Sequence, residues 1–63
     1  MNDEIKAGQL RIWTAKGPDY GTPFLVLTCL YDNVGWSVLC KNEVMTLSTY
    51  DIRHQSVIEA TND

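Results

Sequence analysis

The chain has 63 residues, of which 44% are hydrophobic and 21% charged, and its net charge is −3. These values are typical of a folded globular domain, and the length leaves room for one domain with a thin core. Most of the acidic excess lies at the two ends, because the span from Ile5 to Ile58 holds five bases and four acids. With no basic cluster to contact phosphates, the composition disfavours nucleic acid as a partner.

Two cysteines, Cys29 and Cys40, are too few for a disulfide scaffold and lack the spacing of a metal site, so we expect free thiols. Charged residues at positions 3, 4 and 6 interrupt any signal-like apolar run. The longest apolar stretch, residues 24–31, is far shorter than the roughly 20 residues that a membrane-spanning helix needs. We therefore expect a cytoplasmic protein that makes no contact with a membrane.

The first predicted strand is Gln9-Leu10-Arg11-Ile12-Trp13. Leu10 and Ile12 alternate with Arg11 and Trp13, which is the pattern of a half-buried strand. The alternation predicts that Leu10 and Ile12 face the core, and that Trp13 shares the outer face with Arg11.

A long loop over residues 14–23 is predicted next, since it contains both prolines and two of the four glycines. Residues 24–31 favour a strand that is apolar on both faces, and therefore central or strongly bent. Residues 36–40 form the return strand of a hairpin, Lys41-Asn42 a tight turn, and residues 44–48 the third strand of a meander.

The C-terminal part predicts one helical turn over residues 48–52, begun by a hydroxyl cap, and a last strand over residues 53–59. The domain spans residues 5–59, between a disordered tail at 1–4 and a second tail at 60–63. Closing so small a sheet on itself buries its apolar face and removes exposed edges. The expected interior of this closed barrel is Leu10, Ile12, Leu25, Leu27, Leu39, Leu47 and Ile52.

Short motifs along most of the chain resemble those of the SH3-like barrel superfamily. Gly35-Trp36-Ser37 follows the acidic turn Asp32-Asn33, and Leu47-Ser48-Thr49-Tyr50 is similar to a turn of peptide-binding SH3 domains. A closer resemblance is to small stand-alone SH3-like proteins of tailed bacteriophages and some bacteria. It is carried by Gly8-Gln9-Leu10, Tyr20-Gly21, Gly35-Trp36 and Asp51-Ile52 with Val57-Ile58.

The resemblance implies an all-β, five-stranded SH3-like barrel with one short helical turn before the last strand. It implies a non-catalytic protein–protein interaction module, such as a phage accessory protein that binds a host or virion protein in the host cytoplasm or the virion. Trp36 and Tyr50 would be the aromatic walls of the ligand groove, and Tyr20 and Asp19 would add contacts from the long loop.

Trp13 joins these partner-binding candidates because large aromatics outside strand interiors often mark interface hot spots. The structural alternative is that Trp36 caps one end of the barrel while Trp13 covers its side.

Enzymatic and metal chemistry are not expected. His54 is the one histidine, and a pair with Cys29 or Cys40 would lack an orienting group and an oxyanion hole. A zinc site from the same three residues would be one ligand short. We expect no cofactor.

Two other hypotheses stay open. One is a nucleic-acid-binding small barrel, which would combine stacking aromatics with Arg11, Lys16, Lys41 and Arg53. The other is a structural subunit that self-associates through its edge strands into a homo-oligomer, with Trp13 and Trp36 at the subunit contacts.

Overall fold

Five antiparallel strands and one short helix make up the computed structural model, which describes residues 4–61. The elements are β1 (Gln9–Trp13), β2 (Pro23–Leu30), β3 (Gly35–Cys40), β4 (Glu43–Ser48), α1 (Thr49–Gln55) and β5 (Ser56–Thr61). All five strands belong to one sheet, in the order β4-β3-β2-β1-β5. This confirms the predicted class: an all-β domain of five strands with one short helix before the last strand.

The sheet is not closed into a barrel, so this part of the prediction is wrong. β4 and β5 are the two edges of the sheet and do not pair with each other. α1 connects β4 to β5 along the chain and contacts both strands. The helix has seven residues rather than the single predicted turn, and it includes residues 53–55, which we had expected to begin the last strand.

α1 begins where the sequence predicted a hydroxyl cap. Ser48 is the N-cap, and its side chain accepts a hydrogen bond from the backbone N–H of Asp51 at 3.0 Å. Asp51 in the first turn and Arg53 and His54 in the last turn suit the helix dipole. Ile52 points to the core and is fully buried.

The face of β1 that packs against the core is the opposite of the predicted one. Gln9 and Arg11 are 2% and 0% exposed, whereas Leu10 and Ile12 are half-buried on the outer face. The predicted interior is therefore wrong for most of its members, and Ile52 alone among those seven is fully buried. The buried hydrophobic residues are Ile5, Phe24, Val26, Trp36, Val38 and Ile52.

The Arg11 guanidinium connects β1 to α1 and β5. Its Nε donates to Ser56 Oγ at 2.8 Å, and Nη1 donates to Gln9 Oε1 at 3.0 Å. Nη2 donates to the backbone carbonyls of Ile52 and Ser56 at 3.2 and 3.3 Å. Because the last carbonyls of a helix have no partner within the helix, Arg11 satisfies one of those of α1.

The β2–β3 and β3–β4 turns both contain residues with a left-handed backbone conformation. Lys41 and Asn42 have φ values of 53° and 65°, which fits the two-residue hairpin turn that joins β3 to β4 and confirms its prediction. Three successive residues of the β2–β3 turn, Tyr31 to Asn33, also have positive φ. The backbone N–H of Val34 donates to the carbonyl of Tyr31 at 3.0 Å within this turn.

The folded part of the described chain reaches close to both of its ends. Ile5 belongs to the core, and β5 continues to Thr61, two residues beyond the predicted end of the domain at 59. Of the tails predicted at 1–4 and 60–63, residues 1–3 and 62–63 lie outside the described residues. Cys29 and Cys40 are free, as expected, although Cys29 is exposed. In the described part of the chain, no helix has both the length and the apolar character to cross a membrane.

We predict that Arg11→Leu destabilises the fold more than Leu10→Ala does. The first change leaves buried acceptors around residue 11 without a donor, at about 1–3 kcal/mol for each such group. The second trims a half-buried side chain on the outer face and should cost about 1 kcal/mol. Urea unfolding followed by circular dichroism measures both, and Arg11→Lys should fall between them. A larger loss for Leu10→Ala would contradict this orientation of β1.

Candidate functional site

An apolar cleft of about 220 Å³ opens on the inner side of the sheet, between the β1–β2 loop and the β3–β4 hairpin. Its apolar lining comes from four strands, and Phe24 is the most deeply buried of these residues. Among the described strands, β4 pairs with β3 alone, so the cleft lies next to an open edge of the sheet. It is lined by Trp13, Asp19, Thr22, Phe24, Cys40, Lys41, Glu43, Met45 and Leu47.

Trp13 is held firmly at one wall of the cleft. Its backbone N–H donates to the carbonyl of Thr22 at 3.0 Å, and its carbonyl accepts from the N–H of Gly21 at 2.8 Å. Gly21 has a φ of 81°, a conformation that side-chain-bearing residues rarely adopt. The indole meets the Phe24 ring edge-on, with centroids 6.0 Å apart. The half-buried indole is therefore preorganised and still accessible from the cleft.

The mouth of the cleft is charged. Lys41 Nζ lies 2.8 Å from Asp19 Oδ1, which joins the long loop to the β3–β4 turn. This hydrogen bond, and then the Coulombic attraction of the same carboxylate, raises the pKa of Lys41 above its ordinary value of 10.5. Lys41 therefore stays cationic at physiological pH. Because both side chains are more than half exposed, the pair orients the loop and adds little to stability.

Trp36 belongs to the buried core. It is 7% exposed, and its indole N–H donates to Thr49 Oγ1 at 3.1 Å. Its edge reaches a second cavity of about 210 Å³, whose lining is more polar than that of the cleft. Its partner-binding role stays a prediction, and little of its surface is open to a ligand.

The other predicted partner-binding residues lie in separate places. Trp13 and Asp19 meet at the cleft. Tyr20, on the long loop, is 68% exposed and does not line the cleft. Tyr50 is 67% exposed on α1 and packs against His54, with ring centroids 4.3 Å apart. Tyr50 is not among the residues that line the cavity at Trp36.

Two of the four basic residues of the nucleic-acid hypothesis have other roles. Arg11 is fully buried and cannot reach a phosphate from the surface. Lys41 is paired with Asp19. Lys16 and Arg53 are exposed.

The cysteines and His54 are dispersed. Cys29 lies on the surface and donates to Asn33 Oδ1 at 2.8 Å, whereas Cys40 lines the cleft. Within residues 4–61, no three His, Cys, Asp or Glu side chains form a group that could hold a metal ion.

Comparisons with protein-family models, with curated proteins and with solved structures found no match to this chain. The resemblance to SH3-like proteins therefore stays a prediction that depends on the short motifs alone.

The sequence reasoning missed the β3–β4 side of the cleft, namely Cys40, Lys41, Glu43, Met45 and Leu47. A usable signal was present in β4, where Met45 and Leu47 alternate with Val44 and Thr46 and so must share a face. What the sequence could not reveal is that β4 is an edge strand, with no described strand paired to it on the side away from β3.

We predict that Trp36→Ala lowers the free energy of unfolding by about 3–5 kcal/mol, because it empties a large core volume. Tyr50→Ala removes an exposed ring and should stay within about 1 kcal/mol of the parent protein. Thermal unfolding separates the two, since about 1 kcal/mol shifts the Tm of a domain this small by several degrees. An unchanged Tm for Trp36→Ala would mean that Trp36 is not a core residue.

Proposed function

We propose that this chain is a non-catalytic protein-interaction module, and that its partner inserts an apolar side chain into the cleft beside Trp13. The observation that carries the proposal is the cleft itself: an apolar lining, a preorganised indole and a charged mouth. Apolar concavities with a few placed polar groups are the usual form of binding sites.

The dimensions of the cleft favour one large side chain over a whole small-molecule cofactor. Drug-sized ligands occupy pockets of about 300–1,000 Å³, and an apolar cavity of roughly 150 Å³ holds a benzene ring. At about 220 Å³, this cleft accommodates a phenylalanine, leucine or methionine side chain. The Asp19–Lys41 pair and Glu43 would form the polar rim that surrounds the anchor in a typical interface.

The non-catalytic part of the proposal depends on residue types. The residues around the cleft offer a thiol at Cys40 and carboxylates at Asp19 and Glu43, while His54 lies on α1 against Tyr50. The cleft lining therefore does not combine the Cys40 thiol with a histidine that could act as its base.

A partner of the kind that the sequence resemblance implies, a host or virion protein met in the host cytoplasm, suits a small docking module.

We predict that Met45→Asp abolishes partner binding and that Val57→Asp does not. Met45 lines the cleft, whereas Val57 pairs with Ile12 on the outer face of β5, at the other edge of the sheet, and both are exposed enough to accept a carboxylate without unfolding. A random peptide library displayed on phage, selected on the immobilised protein, should yield peptides with a large apolar residue. Their affinity should fall at least about tenfold on Met45→Asp, which corresponds to about 1.4 kcal/mol.

Cys40 provides a second measurement on the same site. In a Cys29→Ser background, bound peptide should slow the alkylation of Cys40, because that thiol lines the cleft. Failure to enrich any peptide over the bare support, or equal binding to the two aspartate variants, would refute the cleft as the docking site.

A further inference from the structure

β4 is an unprotected sheet edge. Its sequence, Glu-Val-Met-Thr-Leu-Ser, contains no proline and no lysine, and its register with β3 runs from Gly35–Ser48 to Cys40–Glu43 without a bulge. Edge strands are usually defended by charges, prolines or bulges, because their free N–H and C=O groups can pair with another chain. By contrast, β5 pairs with β1 across a bulge, whereas each of the two strands has one glutamate.

The hydrogen-bond alternation of β4 identifies which backbone groups are free. The N–H of Thr49 donates to the carbonyl of Val34 at 2.8 Å, which extends the β3–β4 ladder by one pair. Antiparallel strands alternate bonded and non-bonded pairs, so Glu43, Met45 and Leu47 face β3 with their backbone groups. Val44 and Thr46 therefore turn their N–H and C=O groups outward, and both residues are exposed.

The free edge and the cleft are parts of one surface. Met45 and Leu47 line the cleft from the inner face of β4. Since cross-strand neighbours share a face, every second side chain of a strand added beside β4 would lie next to these two residues. Backbone pairing would supply affinity, and the cleft would select the inward side chains.

The charge at the mouth favours a cationic occupant over a second copy of this chain. Two carboxylates, Asp19 and Glu43, surround the single ammonium group of Lys41 there. A second copy of β4 would add its own Glu43 and no base from within that strand. A lysine or arginine at one end of the incoming segment would instead balance the surplus carboxylate.

We propose that an extended segment of a partner protein, apolar at alternate positions and cationic at its ends, adds to the free edge of β4 as a further strand. This inference rests on the proposed function and specifies how the cleft is filled.

The test compares Thr46→Pro with Thr46→Ala. Proline removes the outward N–H and leaves the β3 side of the ladder intact, while alanine removes the side chain and keeps the N–H. The probe is the synthetic peptide Lys-Leu-Thr-Phe-Thr-Leu-Lys, acetylated and amidated. We expect its affinity to fall at least about tenfold on Thr46→Pro and to change less than about twofold on Thr46→Ala.

Amide hydrogen exchange in the unmodified protein gives an independent measurement. The amides of Val44 and Thr46 should exchange rapidly when free and become protected by the probe peptide at about 1 mM. Absence of this protection, or equal binding to the proline and alanine variants, would overturn strand addition. If Met45→Asp still abolished binding in that case, the cleft would remain the docking site and the edge alone would be excluded.

Sedimentation without peptide tests the alternative occupant. We expect a monomer for both the parent protein and Thr46→Pro. If the parent protein were a dimer and Thr46→Pro a monomer, the occupant of the β4 edge would be a second copy of this chain and not a segment of a partner protein.

Discussion

The buried Arg11 side chain fixes the orientation on which the rest of the structure depends. A guanidinium that is fully buried must have its donors satisfied, because an unpaired polar group in the interior is costly. Besides Gln9 on the same strand, its acceptors include the Ile52 carbonyl of α1 and Ser56 of β5, which have to be brought to the inner face of β1. Turning β1 over would expose Arg11 and leave these acceptors facing an apolar surface. The C-terminal third of the chain is thereby held against the first strand.

This constraint explains how much of the fold could be predicted from the sequence. The strands, the long loop and the β3–β4 turn follow from local patterns, and the structure confirms them within a few residues. Local patterns do not predict which face of β1 is buried, because a prediction from alternation places polar residues on the solvent side. β2 could not correct the error: Leu25 and Leu27 lie on one face, Phe24 and Val26 on the other, and both faces are apolar. The partners of Arg11 on α1 and β5 lie more than 40 residues away, beyond the reach of any local pattern.

The same limits apply to the candidate site. Trp13 was predicted as an aromatic at a strand end and Asp19 from the resemblance to SH3 domains, and both residues line the cleft. Trp36 stood out equally, yet burial and a hydrogen bond to Thr49 make it part of the core. The decisive feature, the open edge of β4, is a matter of strand order. β4 and β5 lie at opposite edges of one sheet and do not pair with each other, which no local pattern predicts.

The outer face of the sheet explains why this opening matters. Leu10, Leu25, Leu39 and Val44 lie in one cross-strand row from β1 to β4. Each shields its neighbours, so Leu10 and Leu25 are half-buried, but exposure rises to 38% at Leu39 and 67% at Val44 because the row ends there. On the inner face, Met45 is likewise 38% exposed. Both faces of the sheet therefore carry exposed apolar side chains at β4, where the backbone is also unpaired on one side. One strand laid along that edge would cover the end of the row, the mouth of the cleft and the free backbone groups together.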